Sequence, residues 1–286
     1  MSDPDPVAET TPRPNTPNTT PAANEAAHTP KITIATVTYN AAELIERTIE
    51  SVEHQDYPDV EHIIIDGNSS DTTLALVQHY LERNSHAEHR HEIVCRSEPD
   101  DGLYDAMNKA LDLATGDYIL FLNAGDTLHD HDTLSVMARM AADDVCVIYG
   151  DTDLVDEQGL FLRHRRLTPP ERLTWRSFRN GMLVCHQAFA ARLDIARQQH
   201  YDDEHYHYSA DFDWCIRVMR QGEEQGMHHA HTHDVIADFL DVEAGTTHKH
   251  HKASLRERFR IMCRHYGILT TLAMHAWFVV RAFIKK

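Results

Sequence analysis

Carboxylates follow apolar runs at three places in this chain: Asp66 after Ile63-Ile64-Ile65, Asp100-Asp101 shortly after Ile93-Val94-Cys95, and Asp126 after Tyr118-Ile119-Leu120-Phe121-Leu122. Two more, Asp211 and Asp213, open a stretch with helical apolar spacing. A carboxylate can accept from a base or a ribose hydroxyl, hold a hard cation such as Mg²⁺ or Mn²⁺, or take a proton from a hydroxyl. Several other chemistries lack their motifs. There is no G-x-G-x-x-G after the first apolar run, no G-x-x-x-x-G-K-[ST] and no G-x-S-x-G. Acids at the ends of apolar runs suit a metal-bound diphosphate.

The elements that must position these groups can be read from periodicity. Ile32–Val37, His62–Asp66, Glu92–Arg96, Tyr118–Leu122 and Val145–Tyr149 read as strands. Amphipathic helices alternate with them. One carries Leu44, Ile45, Thr48, Ile49 and Val52 on a face, the next begins after Asp71, and a third runs from Leu103 to Ala114 with Gly116 as its C′ residue. Unbroken apolar strands between helices indicate an α/β fold: a Rossmann-like, mostly parallel sheet with helices on both faces. Such sheets bind ligands at the carboxyl ends of their strands. Tyr39-Asn40, Asp66–Ser69, Ser97-Glu98 and Asn123–Asp126 all fall there. The second half is less regular: Leu160–Leu162 reads as a hairpin arm and a helix begins near Ser209.

Together these motifs resemble glycosyltransferase family 2, in its bacterial polysaccharide and cell-envelope branch. The resemblance rests on Lys31–Asn40, Asp66–Asp71, Ser97–Lys109 and Phe121–Asp126, and runs to about Gly267. It implies a GT-A fold, an inverting mechanism and a nucleotide-sugar donor, usually UDP-linked. It also implies roles. Thr36, Tyr39 and Asn40 would pack the base, Asp66 would contact the uracil, and Asp101 would line the donor site. Asn123-Ala124-Gly125-Asp126 occupies the place of the D-x-D motif, with Asn123 replacing the first acid and the spacing one residue longer. Asp126 is then the main ligand to Mg²⁺ or Mn²⁺, with Asn123 secondary. Asp211 in Ser209-Ala210-Asp211-Phe212-Asp213 matches the general base, with Asp213 as understudy. His186-Gln187 resembles the step before the acceptor site. Gly245-Thr246-Thr247 stands where a mobile Gly-rich loop occurs, although Ala244 replaces its first glycine. Each position also has a plainer reading as a turn, a helix cap or a buried polar residue.

Composition narrows the class. A formal net charge of −18 over 286 residues argues against a nucleic-acid binder. Five scattered cysteines without C-x-x-C fit a reducing cytosol. Residues 1–30 are rich in Pro, Thr, Ala and Asn, carry no apolar run of the kind a secretory signal needs, and read as a disordered tail. Residues 31–251 form the expected glycosyltransferase domain. Residues 252–286 hold eight Lys or Arg against the single acid Glu257, and read as a basic amphipathic helical segment. Arg256, Arg258, Arg260 and Arg264 precede apolar Leu269, Leu272, Trp277 and Val280, a pattern suited to an anionic membrane surface. The expected place is therefore the cytoplasmic side, peripheral to the inner face of the plasma membrane. The expected partners are a nucleotide-sugar donor and a glycan or lipid-linked glycan acceptor. The 23 histidines include His228–His233 and His248–His251, which read as solvated polar loops; the alternative is alternating His on one strand face, which could bind Zn²⁺ or Ni²⁺. The rivals are a sugar-1-phosphate nucleotidyltransferase, which lacks its Gly-rich start, a catalytically silent GT-A scaffold or glycan-binding module, and a His-based metal binder.

Overall fold

The computed structural model describes residues 29–88, 90–241 and 250–284, without the side chains of 282–284. Most of the tail, and the 245–247 loop, therefore lie outside the described residues. One mixed sheet organises the chain. Its strands are β1 (Ile32–Thr38), β2 (Val60–Asp66), β3 (Glu92–Ser97), β4 (Tyr118–Phe121), β5 (Thr127–Leu128), β6 (Val145–Val155), β7 (Phe161–His164), β8 (Phe189–Arg192) and β9 (His228–Leu240). The spatial order is β3-β2-β1-β4-β8-β6-β9-β5, with β7 paired to β6. The first four are mutually parallel, while β8 runs against both β4 and β6. The parallel half is the part with unbroken apolar runs. Successive residues of β2 enter opposite cores: Ile64 packs with Ile45, Ile49, Val77 and Tyr80, and Ile63 and Ile65 pack with Met107 and Leu111. A strand buried on both faces needs no polar alternation, which is why these strands are apolar throughout.

Helices α1 (Ile45–Glu53) and α2 (Thr73–His86) cover one face, and α3 (Leu103–Leu113) the other. Asp71 caps α2 from outside, accepting from the Thr73 N–H at 2.9 Å. Gly116 is not a left-handed helix cap. Its N–H donates to Thr33 Oγ1, and a Cβ there would lie 2.6 Å from that oxygen, so close strand approach requires the glycine. Next come α4 (Thr133–Met140), the 3₁₀ turn Trp175–Asn180, the short 3₁₀ turn His186–Ala188, α5 (Leu193–Ala196) and α6 (Ala210–Glu224). The basic segment forms two helices, α7 (His251–Tyr266) and α8 (Ile268–Ile284), broken at Gly267 where φ is +81°. The His228–His233 stretch, read as a polar loop, is the start of β9. Pairing with β6 overrides its weak apolar pattern.

Candidate active site

Because β1 to β4 are parallel, their carboxyl ends share one rim. The switch point lies beside β1, where the chain leaves β3 and returns as β4. Asp66 ends β2 and is fully buried. Its Oδ2 accepts from the Ser69 N–H at 2.9 Å and from Ser97 Oγ at 2.7 Å, and its Oδ1 accepts from Ser69 Oγ. It thus ties the ends of β2 and β3 together. Asn40, at φ +46°, ties β1 to the same loop: its N–H donates to Ser69 Oγ and its Oδ1 accepts from the Ser70 N–H, both at 2.8 Å. Tyr39 is 65% exposed and closes on Gly67 together with Asp100. Asp101 is exposed at the entrance to α3, where its N–H donates to Asp105 Oδ2 at 3.0 Å. Thr36 is not on the rim. It is fully buried inside the sheet with its hydroxyl 3.0 Å from His62 Nε2, so the base-packing role expected of it does not match its place.

The turn after β4 is built by Gly125, whose φ is +105°. Thr48 supports it: Gly125 N–H donates to Thr48 Oγ1 at 2.8 Å, and that hydroxyl donates to the Asp126 carbonyl at 2.7 Å. Asp126 faces inward and is 5% exposed. Its Oδ2 accepts from Gln187 Nε2 at 2.8 Å and its Oδ1 from the Leu240 N–H at 2.9 Å. Burial pushes its pKa up to about 7, against the lowering effect of those two bonds and of Arg47. A carboxylate binds a metal as the deprotonated form, with an oxygen free to reach the ion. In this structure Asp126 is a buried brace between the β4 turn, Gln187 and the end of β9, with both oxygens already accepting, so the main-ligand role expected of it does not match its place here. Asn123 differs. Its Oδ1 is buried without a hydrogen-bond partner, so this neutral oxygen is the group of the turn left to meet a ligand.

A second cluster lies below β4. Asp211, in the first turn of α6, is partly exposed, and its Oδ1 accepts from the Tyr104 hydroxyl at 3.1 Å. Burial, with Asp211 beside it, holds the Tyr104 phenol far above its ordinary range, so it stays a donor. Tyr104 stacks on Tyr201, and the Tyr201 hydroxyl lies 2.7 Å from His186 Nε2. His186 is buried against Phe121 at the end of β4. Burial lowers its pKa to about 4, with Asp211 opposing, so it is a neutral support at pH 7. Asp213 has the opposite fate. It is fully buried, with His265 Nε2 2.7 Å from Oδ1 and Arg217 Nε donating to Oδ2 at 2.6 Å. Burial alone would raise its pKa, but His265 and Arg217 hold it below the ordinary carboxylate range. Asp213 joins α6 to α7 and is not an alternative base. Tyr201 escaped the sequence reading, and Tyr104 entered it only within the Ser97–Lys109 stretch, without its contact to Asp211. Only the H-Q step pointed at Gln187, and it pointed at the histidine.

A profile of the family described as "Glycosyl transferase family 2" matches residues 33–199. The chain belongs to glycosyl transferase family 2. It is accordingly a glycosyltransferase with a GT-A fold. A family member from Mycobacterium tuberculosis, a PGL/p-HBAD biosynthesis glycosyltransferase, is 31% identical over 192 residues, 66% of this chain and 70% of that protein. The GalNAc(5)-diNAcBac-PP-undecaprenol beta-1,3-glucosyltransferase of Campylobacter jejuni is 30% identical over 130 residues, 46% of this chain and 40% of that one. Among solved structures, S. aureus TarS 1-349 in complex with UDP-GlcNAc superposes with a TM-score of 0.61 at 16% identity, over 81% of this chain and 64% of that one. The chain spans 38% of the longer TarS chain. The mannosyltransferase PcManGT from Pyrobaculum calidifontis, in complex with GDP-Man and Mn²⁺, superposes with a TM-score of 0.61 at 17% identity, over 89% and 76% of the two chains.

Proposed function

We propose that this family 2 enzyme transfers a sugar, with inversion, from a UDP-linked donor to a hydroxyl of a glycan or lipid-linked glycan of the cell envelope. The observation that carries the reading is the Tyr104–Asp211 pair. It is a partly exposed carboxylate, held by a phenol that stays protonated, at the edge of the rim where a nucleotide would lie. Tyr39, Gly67, Asp100 and Asp101 would receive the nucleoside, with Asp66 and Asn40 fixing the loops beneath it. The acceptor hydroxyl would approach Asp211. Its oxygen attacks the anomeric carbon, its proton passes to the carboxylate, and the bond to the nucleoside diphosphate breaks. The Tyr104 hydrogen bond fixes the carboxylate for that transfer, and neutral His186 and Tyr201 set the position of Tyr104.

A divalent cation, as found with GDP-Man in PcManGT, would offset charge on the departing diphosphate. Asn123 Oδ1 fits such a role and Asp126, as folded, does not. The remaining chemistry rests on the chain's own side chains. The donor and acceptor classes are supported by the UDP-GlcNAc complex of TarS and by the undecaprenol-linked substrate in the name of the Campylobacter relative.

No helix among the described residues is long and apolar enough to cross a membrane. Peripheral attachment at the inner face is supported by α8, which exposes Leu269 (81%), Leu272, Trp277, Val279 and Val280. Exposed Arg256 and Arg260 lie one turn apart on α7, where they and Leu255, Phe259 and His275 line a hollow of about 480 Å³. The other two arginines are engaged: Arg258 lies over the Phe212 ring and Arg264 Nη1 donates to Asp202 at 3.1 Å. The reading is tested by nucleotide release and sugar transfer from a panel of UDP-, GDP- and dTDP-sugars, with and without Mn²⁺. Turnover of a UDP-sugar above the others is expected. Turnover confined to another nucleotide would overturn the donor assignment.

A further inference from the structure

We propose that Glu171, His231 and His233 form a zinc site that clamps the segment before the Trp175–Asn180 turn onto β9, away from the donor rim. The decisive observation is His231. Its side chain is only 10% exposed, yet neither ring nitrogen has a hydrogen-bond partner. A buried imidazole with no hydrogen bond at either nitrogen, its Nδ1 3.8 Å from Glu171 Oε2, is costly and demands an explanation. The ring is also fixed. It lies flat on Tyr149 with centroids 4.8 Å apart and an interplanar angle of 7°.

The backbone brings the other two groups to it. The β6–β9 register jumps from Tyr149–His231 to Asp151–Val235, so β9 bulges there. His233 takes φ +64° within the bulge, and Gly150 opposite leaves it room, since a Cβ would lie 2.5 Å from Thr232 Oγ1 and from the Asp234 carbonyl. The His231 and His233 rings end 4.4 Å apart. The Tyr149 hydroxyl lies 3.1 Å from the carbonyls of both Pro170 and Glu171, holding the third residue nearby. Glu171 oxygens lie 3.8 Å from His231 Nδ1 and 3.5 Å from His233 Nε2.

One ligand atom from each residue falls within 4.8 Å of the others. Tetrahedral zinc with bonds of about 2.0–2.1 Å needs ligand atoms about 3.3 Å apart. Closing that gap falls to Glu171 and His233, both exposed and able to move. Two imidazoles and one carboxylate suit Zn²⁺ and not Mg²⁺. His129, Asp153 and Asp238 also converge, but there His129 Nδ1 lies 2.8 Å from Asp238 and His164 Nδ1 2.6 Å from Asp153, so the imidazoles already have partners. Since β6 and β9 run in the same sense as β4, Leu240 marks the rim end of β9. His231 lies nine residues back, about 30 Å of extended strand.

The test uses the full chain without a tag, stripped with EDTA and free of nucleotide, titrated with Zn²⁺ by calorimetry and metal analysis. About one equivalent should bind, raising Tm, and Glu171→Gln or His233→Ala should each weaken binding roughly tenfold to a hundredfold. Both sites of substitution are exposed, so folding should survive; their melting without zinc checks this. His129→Ala and the pair His250→Ala with His251→Ala should leave binding unchanged. The proposal fails if the wild-type chain binds no equivalent at ~10 µM zinc. It also fails if the double variant Glu171→Gln, His233→Ala binds as wild type, or if the control variants abolish binding.

Discussion

The parallel half of the sheet and the mixed half treat their carboxylates differently. On the parallel rim, Asp66 is met by serine hydroxyls and a backbone N–H, Asp100 is half-buried and accepts from the Gly102 N–H, and Asp101 is exposed. Beyond β4, Asp126 is braced by an amide and a backbone N–H, and Asp213 by Arg217 and His265. Between these regions Asp211 alone combines a fixed hydrogen bond with partial exposure among the three acids that follow β4 in the candidate site. The contrast teaches that partner and burial, and not residue type, decide which acid can exchange a proton with a substrate.

The strongest way to break this contrast is Asp211→Asn. Turnover should fall by roughly 10²–10⁴-fold, the scale of lost general-base catalysis, with UDP affinity nearly unchanged. Steady-state rates and calorimetry with UDP check it. A variant that transfers sugar at the wild-type rate removes Asp211 from the mechanism. Asp213→Asn should do the reverse. It removes the anion from buried His265 and from half-buried Arg217, which keeps Gln199 and the His200 carbonyl, so stability should drop by about 3 kcal/mol, the low end of a broken buried pair. Turnover per folded molecule should stay close to wild type. Denaturant melts alongside active-site-normalised rates separate the two outcomes, and a stable but inactive variant would return Asp213 to the chemistry.

A comparable effect should come from Asp126. Its folded pKa, about 7, lies above the ordinary value of 3.8. The folded state therefore holds a proton that the unfolded state has released, and wild-type stability should fall as pH rises from about 4 to about 7. The decline should be on the order of 3 kcal/mol, and Asp126→Asn should flatten it. Parallel urea melts across that range test this; equal slopes in both proteins would mean the carboxylate is already ionised. The smallest effect concerns α8. Leu269→Ser with Leu272→Ser should weaken binding to anionic vesicles roughly tenfold, with binding also weakening as salt rises. Flotation that is identical in both proteins, or absent in both, would show that α8 serves a protein contact.

The sequence by itself determined the parallel half and its rim. Apolar runs buried on two faces, helices with a 3–4 spacing and acids at strand ends are local patterns, and they place Asp66, Asp101 and Asn123 at one edge. Tertiary structure decided which acids the site could use. Asp211 and Asp213 are two residues apart on α6, hence about 200° apart around the helix, so only one can face the cleft. Which one depends on His265, 52 residues later. Asp126 was turned inward by Gln187 and Leu240, 61 and 114 residues away. The start of β9 was illegible because His228–His233 has no apolar alternation, and its strand exists through pairing with β6. Periodicity reports the face an element buries; it carries no record of the partner that arrives from elsewhere in the chain, and in this protein those partners assign the roles.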